Sequence, residues 1–367
     1  MSLFSLGQLT RVGVVARPSL TIRSPYVASV ACDLWRPDSD PFEGIEGSDK
    51  ERKKLSSEIA NALAEKHDLK LAHAPSLDCA GMLTQGKVAF VTQNMGETKT
   101  ALTIQLCEEE REDDNVLVGY HPALAEKIAK AMLLKGLLKT ELGEIENISS
   151  QRTFGNSRVD YILETEDNTL TLLEVKNVVG AEYEEGSVPA GRSPVGVYTV
   201  PTEELPAGKG SRHAIFPHGS LKPGIGVVSD RAIKHVTELG QLEGSVDPVS
   251  GRRIRTAVLF VVNRSDTAAF RPAHEACPVF AQSLKRAQSR GTKLIAKEVQ
   301  WSLGQGDEEE TEAYMGKDLP VRFHSSVTED IDEEHLERIL TYNKEVPKTR
   351  SPPSSAKKRK MKEREAD

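Results

Sequence analysis

Asp160, Glu174 and Lys176 are the residues whose types and spacing point to chemistry. They lie in the runs Ser157-Arg158-Val159-Asp160 and Leu173-Glu174-Val175-Lys176, on either side of the polar turn Glu166-Asp167-Asn168. Side chains alternate along a strand, so Glu174 and Lys176 share one face. An antiparallel hairpin centred on residue 167 puts Asp160 opposite Glu174, with Cβ atoms about 4.5–5.5 Å apart. Two carboxylates at that distance repel unless a cation joins them, and hard oxygen donors suit Mg²⁺ or Mn²⁺. Lys176, one pleat along, can hold an attacking water or neutralise a phosphoryl oxygen. The assignment depends on register, because a slip of one residue turns Asp160 to the other face. Without that register the same residues are a surface hairpin carrying a Glu–Lys pair.

A second group lies on a helix expected over 230–239. Arg231, Lys234, His235 and Glu238 recur at i, i+3, i+4 and i+7 on its polar face, and Ile233, Val236 and Leu239 take the apolar one. Ser229 suits the N-cap. A cationic face beside a metal site is what a phosphodiester substrate needs; a solvated helix face is the plain alternative.

The elements that must position these residues fall into two kinds. Residues 8–35 alternate like strands, 51–66 read as a helix on Leu55, Ile59 and Leu63, and short strands follow at 87–92, 100–107 and 115–119. Short strands with polar turns suggest a small β-barrel. A helix is expected over 123–138, with Leu124, Ile128, Met132 and Leu133 as its core stripe and Gly136 as its stop. Beyond it come strands at 157–165 and 170–178, and a Gly- and Pro-rich loop over 183–226. Then follow the 230–239 helix, the apolar run Thr256–Val262, a helix at 278–290 and a strand at 293–299. The uninterrupted apolar run suits a strand buried on both faces. Strands alternating with helices indicate an α/β domain after the barrel.

The 367 residues carry a net charge of −7, which excludes a bulk polycation that coats nucleic acid. The average hides an asymmetry. Residues 348–367 hold eight Lys/Arg against three Asp/Glu, a net of +5, leaving −12 on the rest. This tail lacks apolar periodicity and should be disordered. Its cluster Lys357-Lys358-Arg359-Lys360 would serve as a nuclear import signal, as a nucleic-acid contact, or simply as a solvated tail. The acidic stretches Glu108–Asp114 and Asp307–Glu312 read as solvated loops. The first 32 residues hold three arginines, five serines and no acid, a composition like an organellar presequence. Pro18 and Pro25 break any amphipathic helix there, however, and the segment reads as β. Four scattered cysteines with no CxxC pair fit a reducing compartment. No apolar run is long enough for a membrane span.

These residues resemble the sugar fermentation stimulation protein family. The resemblance runs with gaps from about residue 7 to residue 300. It is carried by GNSRVDYIL (155–163), LLEVKNV (172–178), SDRAIKHVTEL (229–239) and AVLFVVNRSDTAAFRPAHE (257–275). It implies an OB-fold-like N-terminal domain over 7–119, with a helical insertion at about 37–68. A mixed-sheet α/β domain similar to the PD-(D/E)xK nucleases would follow over 120–301, then an extension over 302–367, acidic then basic and largely disordered. By the same resemblance Asp160 and Glu174 would bind Mg²⁺ or Mn²⁺ and Lys176 would assist the hydrolytic water. Arg158, Arg231, Lys234 and His235 would meet the substrate, a nucleic acid, DNA before RNA. The chain departs from the family pattern in places. Phe216-Pro217-His218-Gly219 stands where the family has Phe-Pro-Asp-Ala, Ala232 where it has Gly, and His121-Pro122 where it has Asn-Thr. Residues 37–68, 183–212 and 302–367 read as insertions or extensions. Three functions follow as expectations: a metal-dependent phosphodiesterase, a non-catalytic nucleic-acid-binding or regulatory protein on a nuclease fold, and an interaction protein working through its acidic insertions and tail. Oligomeric state is left open, a dimer included.

Overall fold

A computed structural model describes residues 1–33, 42–47, 57–76, 81–111, 115–154, 157–184, 186–188, 197–206, 211–304 and 310–342. The first domain is the expected barrel. Strands β2 (Thr10–Ala16), β3 (Val27–Ala31), β4 (Leu69–His73), β5 (Val88–Gln93) and β6 (Leu102–Glu109) run in the order β4-β3-β2-β5-β6. A parallel pairing of β4 with β6 closes the barrel, and β7 (Val116–Gly119) extends it from β6. Alternate residues point inward, so Val12, Val14, Val30, Val91 and Ile104 fill it. Between β3 and β4, helix α1 (Ser57–Lys66) lays Ile59 and Leu63 against Val15 and Ala31. Leu55, the third member of its expected stripe, lies outside the described residues.

Helix α2 (Ala123–Leu134) links the domains and buries the predicted stripe of Leu124, Ile128, Met132 and Leu133. Gly136 takes φ +67°, and the N–H groups of Gly136 and Leu137 close on the carbonyls of Leu133 and Met132. A short helix α3 (Lys139–Leu142) follows.

The second domain is built on a mixed sheet. In chain order it has β8 (Ile145–Phe154), β9 (Ser157–Thr165), β10 (Thr169–Val178), β11 (Gly180–Ala181), β12 (Arg212–Phe216), α4 (Asp230–Leu242), β13 (Arg253–Val262), β14 (Thr267–Pro272), α5 (Pro278–Ser289), β15 (Lys293–Ser302), β16 (Thr311–Asp318) and α6 (Glu333–Thr341). With β1 (Ser2–Gly7), the large sheet has the order β1-β16-β15-β13-β10-β9-β8, and β11-β12-β14 form a small one. The central strands β10, β13 and β15 are parallel. The run predicted to be buried on both faces is β13: Val258, Phe260 and Val262 pack on the α4 and α5 side, and Ala257, Leu259 and Val261 on the α2 side.

Several expectations need correction. The extension after residue 302 is not largely disordered where it is described: β16 completes the large sheet between β15 and β1, and α6 buries Leu336 and Ile339 beside α4. Residues 343–367, with the basic cluster, lie outside the described residues. The loop 183–226 contains strand β12, parallel to β14. The first strand belongs to the second domain's sheet, and the acid-free N-terminal segment supplies β1, β2 and β3.

Glu108 and Glu109 are not solvated either; they end β6 and pair with arginines. Glu108 accepts from Arg11, and Glu109 meets Arg212 and Arg264. Arg264, fully buried, also grips both oxygens of Asp266 and donates to Val179 O. Arg111 and Arg212 each donate to Asp266 Oδ2 at 2.7 Å. The motif Asn263-Arg264-Ser265-Asp266 is thus a buried ion network that joins barrel to sheet. Beside it, Gly119 donates its N–H to Asn263 O, and a Cβ on Gly119 would meet the Asn263 side chain at 2.8 Å, so only glycine permits this approach.

Candidate functional site

The hairpin β9–β10 has the register that the turn predicts. Thr165 and Thr169 both donate hydroxyls to Asp167 Oδ1, at 2.6 and 2.8 Å, and Asn168 closes the turn at φ +59°. The ladder pairs Leu170 with Glu164 through to Leu173 with Tyr161. Continued by one residue, it sets Asp160 opposite Glu174. There the main-chain ladder gives way to a side chain: Asp160 Oδ2 accepts the Val175 N–H at 2.8 Å.

Glu174 and Lys176 share a face, and Lys176 Nζ donates to Glu174 Oε1 at 2.5 Å. The same oxygen is bonded to Nδ1 of His235 on α4. Ser229 caps that helix, accepting from the Ala232 N–H at 3.2 Å, which fixes the height at which His235 meets the sheet. Asp160, Glu174 and Lys176 are each buried.

On the other side of Asp160, pairs Ser150–Tyr161 and Arg152–Val159 bracket Gln151, which therefore faces Asp160 from β8. Its Nε2 donates to Asp160 Oδ1 at 3.3 Å and to Glu126 Oε2, on α2, at 3.0 Å. Neither Glu126 nor Gln151 stands out in the sequence. Glu126 reads as an ordinary acid in the first turn of a helix, and Gln151 acts through a backbone conformation that no pattern announces.

The electrostatics separate the two hairpin acids. Burial, and next the Glu174 carboxylate, push Asp160 above the ordinary aspartate range; the Val175 N–H and Lys176 offset this only in part. Burial pushes Glu174 upward too, but Lys176 and His235 outweigh it and hold the carboxyl below its ordinary value. Tyr161 is pushed up to about 12 by burial and by Glu126 and Asp160. Two carboxylates with opposed shifts in one cleft form a pattern that acid–base and metal sites share with structural ion-pair networks.

Asp160, Glu174 and Lys176 line a cleft of about 960 Å³ between the domains, with Pro25 and Ser76 on the barrel side and Glu126 and Arg231 beside them on the other. The predicted residues divide accordingly. Asp160, Glu174 and Lys176 come together, and Arg231 lines the cleft. His235 is spent on Glu174 rather than turned to a substrate. Lys234 is a correction: it faces away, donating to Tyr342 O at 2.8 Å and lying 3.5 Å from Asp230. Arg158 is exposed on β9 and is not part of the cleft lining. His218, where an acid was expected, lines the cleft with its ring 6.3 and 6.2 Å from those of Tyr183 and Tyr198.

Among the described residues no three His, Cys, Asp or Glu side chains converge as a preformed metal site. Mg²⁺ asks for less. It keeps several waters and takes one or two carboxylates, completing its shell with substrate phosphates. Asp160 and Glu174 fit that donor set, with Glu126 one amide away.

The domain model for the sugar fermentation stimulation protein RE domain matches residues 123–190 and 226–305, which hold all of these acids, Gln151, Lys176 and His235. The second domain is thus a sugar fermentation stimulation protein RE domain. Similar relatives are the family homologs of Carboxydothermus hydrogenoformans, 25% identical over 62% of this chain and 78% of that protein, and of Maricaulis maris, 27% identical over 59% and 73%. The fold is similar to that of Pyrococcus furiosus SfsA, solved in complex with Ca²⁺, with a TM-score of 0.55 and 17% identity over 88% of this chain and 100% of that one. Between the two matched segments, residues 191–225 contain β12 and the His218 side of the cleft.

Proposed function

We propose that this protein is a divalent-cation-dependent phosphodiesterase acting on nucleic acid, DNA before RNA. The observation that carries the reading is the row Asp160–Glu174–Lys176 lining an interdomain cleft, two buried carboxylates and a lysine in one register. Asp160 and Glu174 would hold Mg²⁺ or Mn²⁺. The ion would polarise the scissile phosphate and lower the pKa of a bound water. Lys176 would orient the water or meet the developing charge on the phosphoryl oxygens. Val175 N–H and Gln151 fix the Asp160 carboxylate, and His235 fixes Glu174. Arg231 on the rim would hold a flanking phosphate. The complex of Pyrococcus furiosus SfsA with Ca²⁺ supports a hard-cation site on this fold.

The test is incubation of the full chain with single- and double-stranded DNA and RNA, with Mn²⁺, Mg²⁺ or chelator. Cation-dependent cleavage, abolished by Glu174→Gln, is expected. Equal cleavage by wild type and Glu174→Gln, or none by wild type, would overturn the reading. A second reading, a non-catalytic nucleic-acid-binding protein, is favoured by His218 in place of an acid. It would give salt-dependent binding without turnover.

A further inference from the structure

Gln151 has a backbone that its strand does not call for. Among the described residues, Gln151 and Asn168 are the non-glycine residues with positive φ, and Asn168 closes a turn, where asparagine is at ease. Gln151, at φ +56°, sits within β8, where extended backbone is the norm. A glutamine held in the left-handed region is strained, and such strain gathers at functional sites. The conformation has a visible consequence: the carboxamide nitrogen lies between two carboxylates on different elements, 3.0 Å from Glu126 Oε2 and 3.3 Å from Asp160 Oδ1.

Asp160 is held at both oxygens, Oδ1 by Gln151 and Oδ2 by Val175 N–H. A carboxylate oxygen has two lone pairs, so each keeps one to offer a cation. A neutral amide with two N–H donors suits this place better than a lysine, since it tethers both acids without cancelling the charge a cation would seek. Groups that hold ligating carboxylates in this way typically account for 10–100-fold in metal affinity.

We propose that Gln151 is a positioning residue for the cation site, holding Glu126 and Asp160 side by side so that a divalent ion meets a pre-arranged set of acids. The proposal rests on the cation-binding part of the proposed function and is independent of whether the site cleaves anything.

The test uses the full chain with Mn²⁺ alone, read by calorimetric titration, and thermal melting in chelator. Gln151→Gly and Gln151→Asn both tolerate the left-handed backbone; the first has no amide, and the second is one methylene too short to reach both acids. Both variants are expected to melt at or above the wild-type temperature while Mn²⁺ affinity falls about 10–100-fold. Wild-type Mn²⁺ affinity in both variants would overturn the positioning role alone. So would a loss of affinity that only tracks a lower melting temperature. Absence of Mn²⁺ binding by the wild type would overturn both this role and the metal reading.

Discussion

The carboxylate of Asp160 takes the main-chain N–H of Val175 at 2.8 Å, so the β9–β10 hairpin is closed at its open end by a side chain. That bond separates two roles of Asp160, acceptor and charge. Asp160→Asn keeps an acceptor for Val175 and removes the charge that burial and Glu174 oppose. It should raise the melting temperature in chelator by a few degrees, as substitutions at strained working sites do. Asp160→Ala should lower stability by about 1–3 kcal/mol, because a buried N–H loses its partner. The folded pKa of Asp160 lies above its unfolded value, so the wild type loses relative stability as pH rises through the ordinary aspartate range near 4. The advantage of Asp160→Asn should therefore be present at pH 7 and shrink below about pH 4. Melting curves at the two pH values check this.

Glu174 carries the opposite sign. Lys176 and His235 hold its folded pKa below the unfolded value, so its contribution is present above about pH 4.3 and is lost as pH falls. Lys176→Met should destabilise the protein at pH 7 by about 3–5 kcal/mol, since a buried carboxylate loses its ammonium. The difference from wild type should narrow on acidification. Urea unfolding at both pH values measures it.

The domain junction should be acid-sensitive as well. Burial opposes the charged form of Asp266, but Arg264 and Arg212 hold its carboxyl far below the ordinary range. Its contribution is then complete above about pH 4 and declines below it. Arg264→Met, which leaves Asp266 and Glu109 with one fewer cation, is expected to cost about 3–5 kcal/mol. It should also split thermal unfolding into two transitions, because the network joins barrel to sheet alongside the apolar contacts of Val88, Phe90 and Leu106. Scanning calorimetry resolves them.

Arg231 and Lys234, one turn apart on α4, should behave differently. Arg231→Ala, on the cleft rim, is expected to weaken nucleic-acid binding and reduce the salt slope by about 1. Lys234→Ala should leave that slope unchanged, because its ammonium is bonded to Tyr342 O. Binding titrations over a range of salt separate the two.

The hairpin acids are legible in the sequence because a short polar turn fixes register and register fixes facing: a turn centred on residue 167 is enough to pair Asp160 with Glu174. The α4 stripe is equally plain, but periodicity says which residues share a face and not what the face meets. That is why Lys234 and His235, expected at a substrate, lie against Tyr342 and Glu174 instead. Glu126 and Gln151 are hidden for different reasons. Glu126 reaches the Asp160 side of the cleft only through the docking of α2, and Gln151 through one unusual dihedral. The pairing of β1 with β16 joins residues 2–7 to 311–314, a separation across which local pattern carries no signal.

Nucleic-acid cleavage rate as a function of Mn²⁺ concentration, for wild type and Glu174→Gln on one DNA substrate, tests the central claim most directly. The phosphodiesterase reading predicts a rate that is zero in chelator, rises with Mn²⁺ to saturation, and falls by at least about 100-fold in Glu174→Gln, in line with loss of a group that acts in the transition state. A rate that ignores Mn²⁺, or that is equal in the two proteins, would contradict it.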